Sequence, residues 1–201
     1  MGVLLAFLLL LSTAAAATTL HEQECLPVGW TVIGSGTGRW ECQGNVIRAH
    51  SSSGDTILAS QSVYTDVTIS AVVSTPNREA SLVVRMQDAA NGYVIIFLPD
   101  GISWNRGIGG IWVAKRIKYT ERYLAYYHGE NFPSLGILAQ LSVTVIDSKI
   151  SVSLNGQQVI EVIDTTFPSG SVGLRIYGDP ARPCDAAFTN VVVKEEVNRP
   201  E

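Results

Sequence analysis

The chain has 201 residues, a formal net charge of −4 and three cysteines. This charge argues against a nucleic-acid-binding surface, which is normally basic, and the sequence has no cluster of Lys and Arg that would provide one locally. About 180 residues follow the apolar leader described next, which is enough for one domain with an ample core.

The sequence begins with an apolar run, MGVLLAFLLLL, that is followed by small residues. The run is too short to span a bilayer comfortably and an Ala-x-Ala pattern ends near Ala17, so residues 1–17 are interpreted as a secretory signal peptide. The positive charge that usually precedes such a run is missing, which leaves an uncleaved membrane anchor as the alternative. We therefore expect a secreted, extracellular protein with one domain over 18–195, a polar tail over 196–201 and no membrane span after cleavage.

Three cysteines, Cys25, Cys42 and Cys184, remain after removal of this leader. In an oxidising compartment they allow one disulfide and one leftover thiol. Cys25 and Cys184 lie near the two ends of the domain, so the preferred disulfide joins this pair. The sequence has no CxxC motif and its histidines are widely separated, so we expect no zinc site.

Apolar and polar residues alternate along most of the chain, which is typical of β-strands that bury one face. Many short strands at regular spacing predict an all-β fold with two antiparallel sheets packed as a sandwich. In chain order, the predicted strands are 45–50, 56–61, 66–74, 80–87, 92–98, 110–116, 122–127, 138–146, 149–154, 158–162, 171–177 and 187–194.

Two of these segments carry additional information. Asn155 and Gly156 separate two alternating runs, and this pair accepts the positive φ angles of a type I′ turn, so it predicts a β-hairpin. The segment YVIIFL, from Tyr93 to Leu98, is apolar at every position and predicts a strand inside a sheet with both faces covered.

Four side chains form the candidate ligand site, because alternation places them on strand faces that point away from the core. Arg offers a planar fork of donors, Gln a donor and an acceptor, and Tyr a ring face and a hydroxyl group. A sugar needs such groups for its hydroxyls and an aromatic face for its C–H side. The alternative is that the arginines are solvated or pair with acidic residues across strands. The predicted ligand-binding residues are Arg85, Gln87, Arg175 and Tyr177.

Aromatic side chains add weaker signals. Trp104 lies in the glycine-rich segment GISWNRG and is interpreted either as a rim platform for a sugar or as a plug over the edge of the sandwich. Trp112 lies on a predicted strand, where a core or rim position is expected. The segment 118–128 is rich in tyrosine, which suits a recognition surface and equally suits a half-exposed hairpin.

Searches for catalytic and metal-binding patterns gave no assignment. Retaining glycoside hydrolysis needs two neighbouring carboxylates, and no strand carries acidic residues that alternate on one face. No GxSxG nucleophile motif occurs. We therefore predict no catalytic residues, no metal site and no cofactor. Calcium could be held by Asp100, Asp179 or Asp185 in loops, but no ligand spacing supports this.

Three segments together resemble a known family. They are Trp40-x-x-x-Gly-Asn-Val-Ile47, the pair Ala80–Arg85 and Asn91–Ile95, and GSVGLRIYG (170–178) followed by FTNVVVKE (188–195). They resemble concanavalin A-like sandwich domains, in a laminin-G-like branch that includes the 3-keto-disaccharide hydrolase domain family. The resemblance spans nearly the whole chain after the leader.

This resemblance implies a jelly-roll sandwich in which the concave face of one sheet receives carbohydrate, with Arg85, Arg175 and Tyr177 on that face. The chain departs from enzyme-like members, which usually carry Glu or Gln at the positions of Val94 and Ile96 and a Gln and a His at those of Arg175 and Tyr177. The prediction is therefore a secreted, lectin-like domain that binds a polysaccharide or glycan. The alternatives are a glycoside hydrolase or keto-sugar-cleaving enzyme, and a structural or protein-interaction sandwich without a sugar site.

Overall fold

The computed structural model describes residues 28–102 and 105–196. The predicted signal peptide, Cys25 and Trp104 lie outside the described residues, as does the tail beyond residue 196. The described strands, in chain order, are β1 (Trp30–Ile33), β2 (Gly38–Gln43), β3 (Val46–Ser51), β4 (Gly54–Ser60), β5 (Val67–Ser74), β6 (Ala80–Asp88), β7 (Asn91–Leu98), β8 (Gly110–Ile117), β9 (Thr120–Tyr127), β10 (Ala139–Ile146), β11 (Lys149–Leu154), β12 (Gln157–Ile163), β13 (Ser171–Gly178) and β14 (Cys184–Glu195).

The strands form two seven-stranded sheets. The front sheet has the order β1-β4-β13-β6-β7-β8-β9 and the back sheet the order β12-β11-β10-β5-β14-β3-β2. Every strand pairs antiparallel to its neighbours. The predicted all-β, two-sheet antiparallel jelly-roll sandwich is therefore confirmed.

The main core lies between the two sheets and follows from alternation. On β5, Val67, Ile69 and Val73 are fully buried, whereas Thr68 and Ser70 point outward and are only partly covered. Each such apolar side chain contributes roughly 1.5–3 kcal/mol when it is fully buried. The polar side chains at alternate positions face solvent on the outer side of the back sheet. The apolar side chains of the back sheet cover the inner face of the front sheet.

The front sheet is unusual because its outer face is also apolar at the centre. On β7, Tyr93, Ile95 and Phe97 belong to the main core, while Val94 and Ile96 belong to a second cluster on the opposite face. The prediction of a strand covered on both faces is thus confirmed. The second cluster consists of Ile57, Ala59, Val83, Met86, Val94 and Ile96, with Ile33, Ala89 and Trp112 packed against it.

The predicted hairpin is present between β11 and β12. Asn155 has φ +50° and Gly156 has φ +81°, so both turn residues occupy the left-handed region that a type I′ turn requires. Asn155 also receives a hydrogen bond from the backbone N–H of Gln140 at 2.9 Å through its side-chain oxygen, which fixes the turn against β10.

The predicted disulfide between Cys25 and Cys184 is wrong. Cys184 is a free cysteine, fully buried at the start of β14, and its thiol donates a hydrogen bond to the backbone carbonyl of Glu79 at 3.1 Å. Burial raises the pKa of this thiol to about 12, and the negative charge of Glu79 adds to the effect. Cys42, on β2, is disulfide-bonded. The position of Cys184 near one end of the chain did not reveal that its side chain points between the sheets.

Within the described ranges, the chain has no helix with the length and apolar character needed to cross a membrane.

Candidate functional site

The structure separates the four predicted strand residues into two groups. Arg175 and Tyr177 lie two positions apart on β13, on the outer face of the front sheet, and both line the same pocket. Arg85 and Gln87 lie at the end of β6 and do not line it. The predicted convergence of Arg85 with Arg175 is therefore wrong.

A β-bulge explains the position of Arg85. This residue has φ +50°, and the pairing of β6 with β7 shifts register between Val84 and Asp88. The extra residue reverses the alternation, so Met86 joins the outer cluster. The Arg85 side chain is only 1% exposed and cannot reach a ligand in the pocket.

Arg85 instead holds two loops together. Its guanidinium donates to the backbone carbonyl of Thr65 at 2.7 and 3.1 Å and to that of Phe167 at 3.1 Å, and it lies 3.5 Å from Asp66. Burial lowers the pKa of Arg85, and Asp66 partly opposes this. Gln87 has a similar role, since its amide donates to the carbonyl of Ser169 at 2.5 Å.

The outer face of the front sheet carries a pocket of about 560 Å³. It lies over β4, β13, β7, β8 and β9, and the segment that precedes β6 closes one side. Alternation on each strand supplies one parity of side chains to the main core and the other to this pocket. Its described lining residues are Asp55, Arg78, Glu79, Ile96, Leu98, Asn105, Trp112, Arg116, Tyr119, Glu121, Tyr123, Arg175 and Tyr177.

Arg175 is the centre of a buried charged floor. Its Nε and Nη2 both lie 2.5 Å from Asp55 Oδ1, and its Nη1 lies 2.7 Å from Glu79 Oε1. Asp55 comes from the neighbouring strand β4, where it is opposite Tyr177 in the register. The alternative that the sequence left open, pairing of an arginine with acidic residues across strands, is what the structure shows for Arg175.

Arg116 extends this floor toward β9. Its Nη1 lies 3.0 Å from Asp55 Oδ2, and its Nε and Nη2 both donate to Glu121 Oε1. Arg116 and Glu121 are direct partners in the β8–β9 register, which places the two side chains on the same face. Asp55 therefore bridges Arg116 and Arg175, and the described floor is one connected network, here called the charged floor: Asp55, Glu79, Arg116, Glu121 and Arg175.

Burial shapes the protonation of this floor. It raises the pKa of the Glu79 carboxyl; Arg175 and Arg78 oppose the effect, whereas Glu121 and Asp55 add to it, and the pKa stays above its usual value. Burial alone would lower the pKa of Arg175, but the surrounding carboxylates hold it above its usual value. The floor therefore combines permanently charged guanidiniums with a carboxyl group that is unusually easy to protonate.

Aromatic side chains form a rim above the charged floor. Trp112 packs against Tyr126 with ring centroids 4.7 Å apart, while Tyr119 and Tyr123 are more than half exposed. On the opposite side, the guanidinium carbon of Arg78 lies 4.7 Å from the centroid of the Tyr177 ring. The tyrosine-rich segment thus contributes Tyr119 and Tyr123 to the pocket, and Trp112 has the rim position that its strand suggested.

Of the three carboxylates considered for calcium, Asp100 and Asp179 lie in loops as expected, whereas Asp185 lies on β14. Asp100 contacts His128 at 3.1 Å, Asp179 contacts Arg78 at 2.8 Å, and Asp185 is hydrogen-bonded to His50. Among the described residues, no group of three or more His, Cys, Asp and Glu side chains is arranged to hold a metal ion. The calcium hypothesis gains no support from this geometry.

Sequence reasoning missed most of the charged floor. Asp55, Glu79 and Glu121 lie far apart in the chain and meet only through the strand order of the front sheet. One signal was available, because Arg116 and Glu121 flank a short turn and would face each other in a hairpin. The β8–β9 pairing shifts register between Val113 and Ala114. The pairing of Arg116 with Glu121 can therefore be predicted only by counting from the turn between the two strands.

The strand order and the pocket define a concanavalin A-like β-sandwich with a recessed site on the outer face of one sheet. The sequence model of the 3-keto-alpha-glucoside-1,2-lyase-like domain family matches residues 18–194, and the chain belongs to this family. The family resemblance seen in the sequence is confirmed. No protein of curated function shows significant sequence similarity to the chain.

Solved structures with the same fold include a carbohydrate-binding module, CBM66 from Bacillus subtilis, with a TM-score of 0.67 and 20% identity over 83% of this chain and 96% of that one. A Bacillus subtilis protein of unknown function with a galectin-like fold has a TM-score of 0.63 and 12% identity over 85% and 90%. The exoplasmic/lumenal domain of VIP36, bound to Ca²⁺ and Man3GlcNAc, has a TM-score of 0.58 and 10% identity over 86% of each chain. At these identities the likeness shows the fold.

Proposed function

We propose that the pocket on the front sheet binds a carbohydrate. The observation that carries this proposal is the combination, in one recess, of aromatic faces from Trp112 and Tyr123 with carboxylates of the charged floor. A sugar ring offers C–H faces that pack on aromatic side chains and hydroxyls that hydrogen-bond to charged groups. CBM66 is by its name a carbohydrate-binding module and the VIP36 domain was solved bound to Ca²⁺ and Man3GlcNAc, which supports a sugar ligand for this sandwich.

We propose a set of ligand contacts that differs from the one predicted from the sequence. Arg175 is 3% exposed and its nitrogens face carboxylates, so it organises the floor. Tyr123, at 60% exposure, and the partly exposed Trp112 are free to stack on a ring. Glu79 and Glu121 line the recess, where carboxylate oxygens can accept hydrogen bonds from sugar hydroxyls.

A glycan array followed by calorimetry tests this proposal. We expect the full-length mature protein to bind a subset of polysaccharides or glycans, and Tyr123→Ala to weaken binding by about tenfold or more through the loss of an aromatic stacking contact. Val192→Ala, an exposed change on the back sheet, is the matched control and should leave affinity unchanged. Binding that survives in Tyr123→Ala and Trp112→Ala alike would place the sugar elsewhere.

A second candidate function is cleavage of a sugar, which the family description and Glu79 both favour. A carboxyl group with a raised pKa inside a sugar-sized recess is suited to act as a general acid. Sugar release from keto-disaccharides and pooled polysaccharides, abolished in Glu79→Gln and retained in Glu161→Gln on the back sheet, would support the enzyme. Binding without release supports the lectin-like function, and neither activity together with capture of a partner protein supports an interaction domain.

We further propose that the protein acts outside the cell, after cleavage of the leader near Ala17. The disulfide at Cys42 supports this, because disulfides persist in oxidising compartments. Amino-terminal sequencing of the protein recovered from the medium tests the cleavage site. Recovery of the uncleaved chain in the membrane fraction would contradict it.

A further inference from the structure

We propose that the pocket accepts uncharged sugars and rejects glycans that carry a carboxylate or sulfate group on the bound residue. This inference rests on the proposed carbohydrate-binding function and names the chemical class of its ligand. It follows from the pairing of the pocket arginines with carboxylates of this chain. An anion-binding site would instead present cations that are available to the ligand.

Arg175 has no capacity left for an anionic ligand. Its Nε and Nη2 are held by Asp55, its Nη1 by Glu79, and its Nη2 also lies 3.4 Å from Glu121 Oε1. Each of its three nitrogens therefore faces a carboxylate of the protein. An incoming anion would have to displace one of these buried pairs, which leaves a protein charge uncompensated.

Arg116 is committed in the same way. Its Nη1 donates to the backbone carbonyl of Ala89 at 3.1 Å and contacts Asp55 at 3.0 Å, while its Nε and Nη2 are directed at Glu121. The side chain is 2% exposed. It supports the carboxylates of the floor and does not present a donor to the recess.

Arg78 completes the cations among the described lining residues. Its Nη1 donates to Asp179 Oδ2 and to the backbone carbonyl of Arg182, both at 2.8 Å, and its guanidinium plane covers the Tyr177 ring. Asp179 also pairs with Arg182, whose Nη2 lies 3.3 Å from Asp179 Oδ2. The cationic side chains that line the pocket are thus all engaged by carboxylates from this chain.

The groups that remain available are acceptors. Within the described part of the chain, the hydrogen bonds and ion pairs of Glu79 and of Glu121 all end on Oε1, so Oε2 of each is available in the recess. The described lining carries the carboxylates of Asp55, Glu79 and Glu121 and the guanidiniums of Arg78, Arg116 and Arg175, so it has no surplus cation to attract an anion. Sugar hydroxyls can donate to such oxygens, whereas a carboxylate or sulfate group would face a like charge.

Burial raises the pKa of Glu79, and the neighbouring carboxylates of Glu121 and Asp55 add to this effect, whereas Arg175 and Arg78 oppose it. Protonation of Glu79 would remove one negative charge from the recess. The selectivity against anions is therefore expected to be largest at neutral pH and to weaken as the pH is lowered.

An array of matched glycan pairs tests the inference. The probes are oligosaccharides ending in glucose, galactose or mannose, and counterparts ending in the corresponding uronic acid or 6-sulfated sugar, at neutral pH and physiological salt. We expect the bound glycans to be neutral, with affinity for the charged counterpart lower by about tenfold or more. In Glu121→Gln, which keeps the acceptor for Arg116 and removes one negative charge, this difference should shrink; in Glu161→Gln it should not.

The outcomes separate the two proposals. Equal or tighter binding of the acidic counterpart, or an unchanged preference in a Glu121→Gln protein that is folded by circular dichroism, overturns the inference and leaves carbohydrate binding standing. The absence of binding to every neutral and acidic probe overturns the carbohydrate-binding proposal and the inference with it.

Discussion

Asp55 lies between Arg116 and Arg175 and accepts from both, with Oδ2 3.0 Å from Arg116 Nη1 and Oδ1 2.5 Å from Arg175 Nε. Asp55 is on β4, Arg175 on the adjacent β13, and Arg116 on β8, three strands further along the sheet from β13. One aspartate thus joins strands that do not pair directly. The outer face of the front sheet therefore combines this charged network with the second apolar cluster, whereas its inner face packs into the main core.

Replacing Arg175 should lower the stability of the fold, so its effect on ligand binding cannot be measured separately. Arg175→Met removes the buried cation that Asp55 and Glu79 share, so we expect the free energy of unfolding to fall by about 3–5 kcal/mol. Chemical denaturation measures the change. Arg39→Met on β2, whose side chain is 70% exposed, is the control and should shift stability by less than about 0.5 kcal/mol. A change no larger than that of the control would mean that the charged floor contributes little to stability.

Glu79 should make the protein less stable as the pH rises. Its folded-state pKa lies above the usual value, so the folded state binds this proton more tightly than the unfolded state. The free energy of unfolding should therefore decrease from about the ordinary pKa of a glutamate upward through the raised folded pKa. Glu79→Gln should remove this slope, and Glu161→Gln should retain it. Denaturation curves across this pH range measure the difference; parallel profiles for wild type and Glu79→Gln would contradict the assignment.

Asp164 should act in the opposite direction. Burial would raise its pKa, but hydrogen bonds from Lys115 Nζ at 2.6 Å, Thr166 and Tyr93 Oη at 2.7 Å outweigh burial and hold the pKa well below its usual range. Its contribution to stability is present above the unfolded-state pKa and is lost as the pH falls through the folded-state pKa. Asp164→Asn should cost about 1–3 kcal/mol at neutral pH and progressively less in acid.

The matched control for this change is Asp185→Asn, whose partner His50 is on the exposed face of the back sheet and whose side chain is 48% exposed. We expect a smaller effect there, because exposed ion pairs contribute roughly 0–1 kcal/mol. An Asp164→Asn protein with wild-type stability at neutral pH would show that the hydrogen bonds to Lys115 and Tyr93 are dispensable.

Cys25 is expected to be the disulfide partner of Cys42. The sequence has three cysteines, Cys184 is a free buried thiol, and Cys42 is disulfide-bonded. Peptide mapping without reduction should recover a linked peptide that contains Cys25 and Cys42. Cys184 should be alkylated far more slowly in the folded protein than after denaturation. A linked peptide containing Cys184 would restore the original sequence-based pairing.

The sequence predicted the sandwich well because alternation is a local property. Every predicted strand is present within a few residues, and the Asn155–Gly156 hairpin has the expected turn. The strands that were missed are β1, four residues at a sheet edge, and β2, which forms the opposite edge of the other sheet. Edge strands need less consistent alternation, since fewer neighbours fix which face they bury.

The site was predicted only in part, for two physical reasons. Arg85 was assigned to the wrong face because a single bulge residue reverses the parity of all that follow it, and nothing in SLVVRMQ marks the bulge. Asp55 and Glu79 were missed because their contacts with Arg175 depend on strand order, which alternation does not encode. Arg175 and Tyr177 were placed correctly in the recess because β13 is regular through them.

The buried thiol of Cys184 gives this protein an internal reporter of opening. Alkylating reagents attack the thiolate, and a group that is 0% exposed with a pKa of about 12 offers almost none in the closed sandwich. The rate at which Cys184 is alkylated therefore measures how often the structure opens locally, with β14 separating from the segment that carries Glu79. Ligand occupancy of the neighbouring recess should be visible as slower alkylation, without any label introduced into the chain.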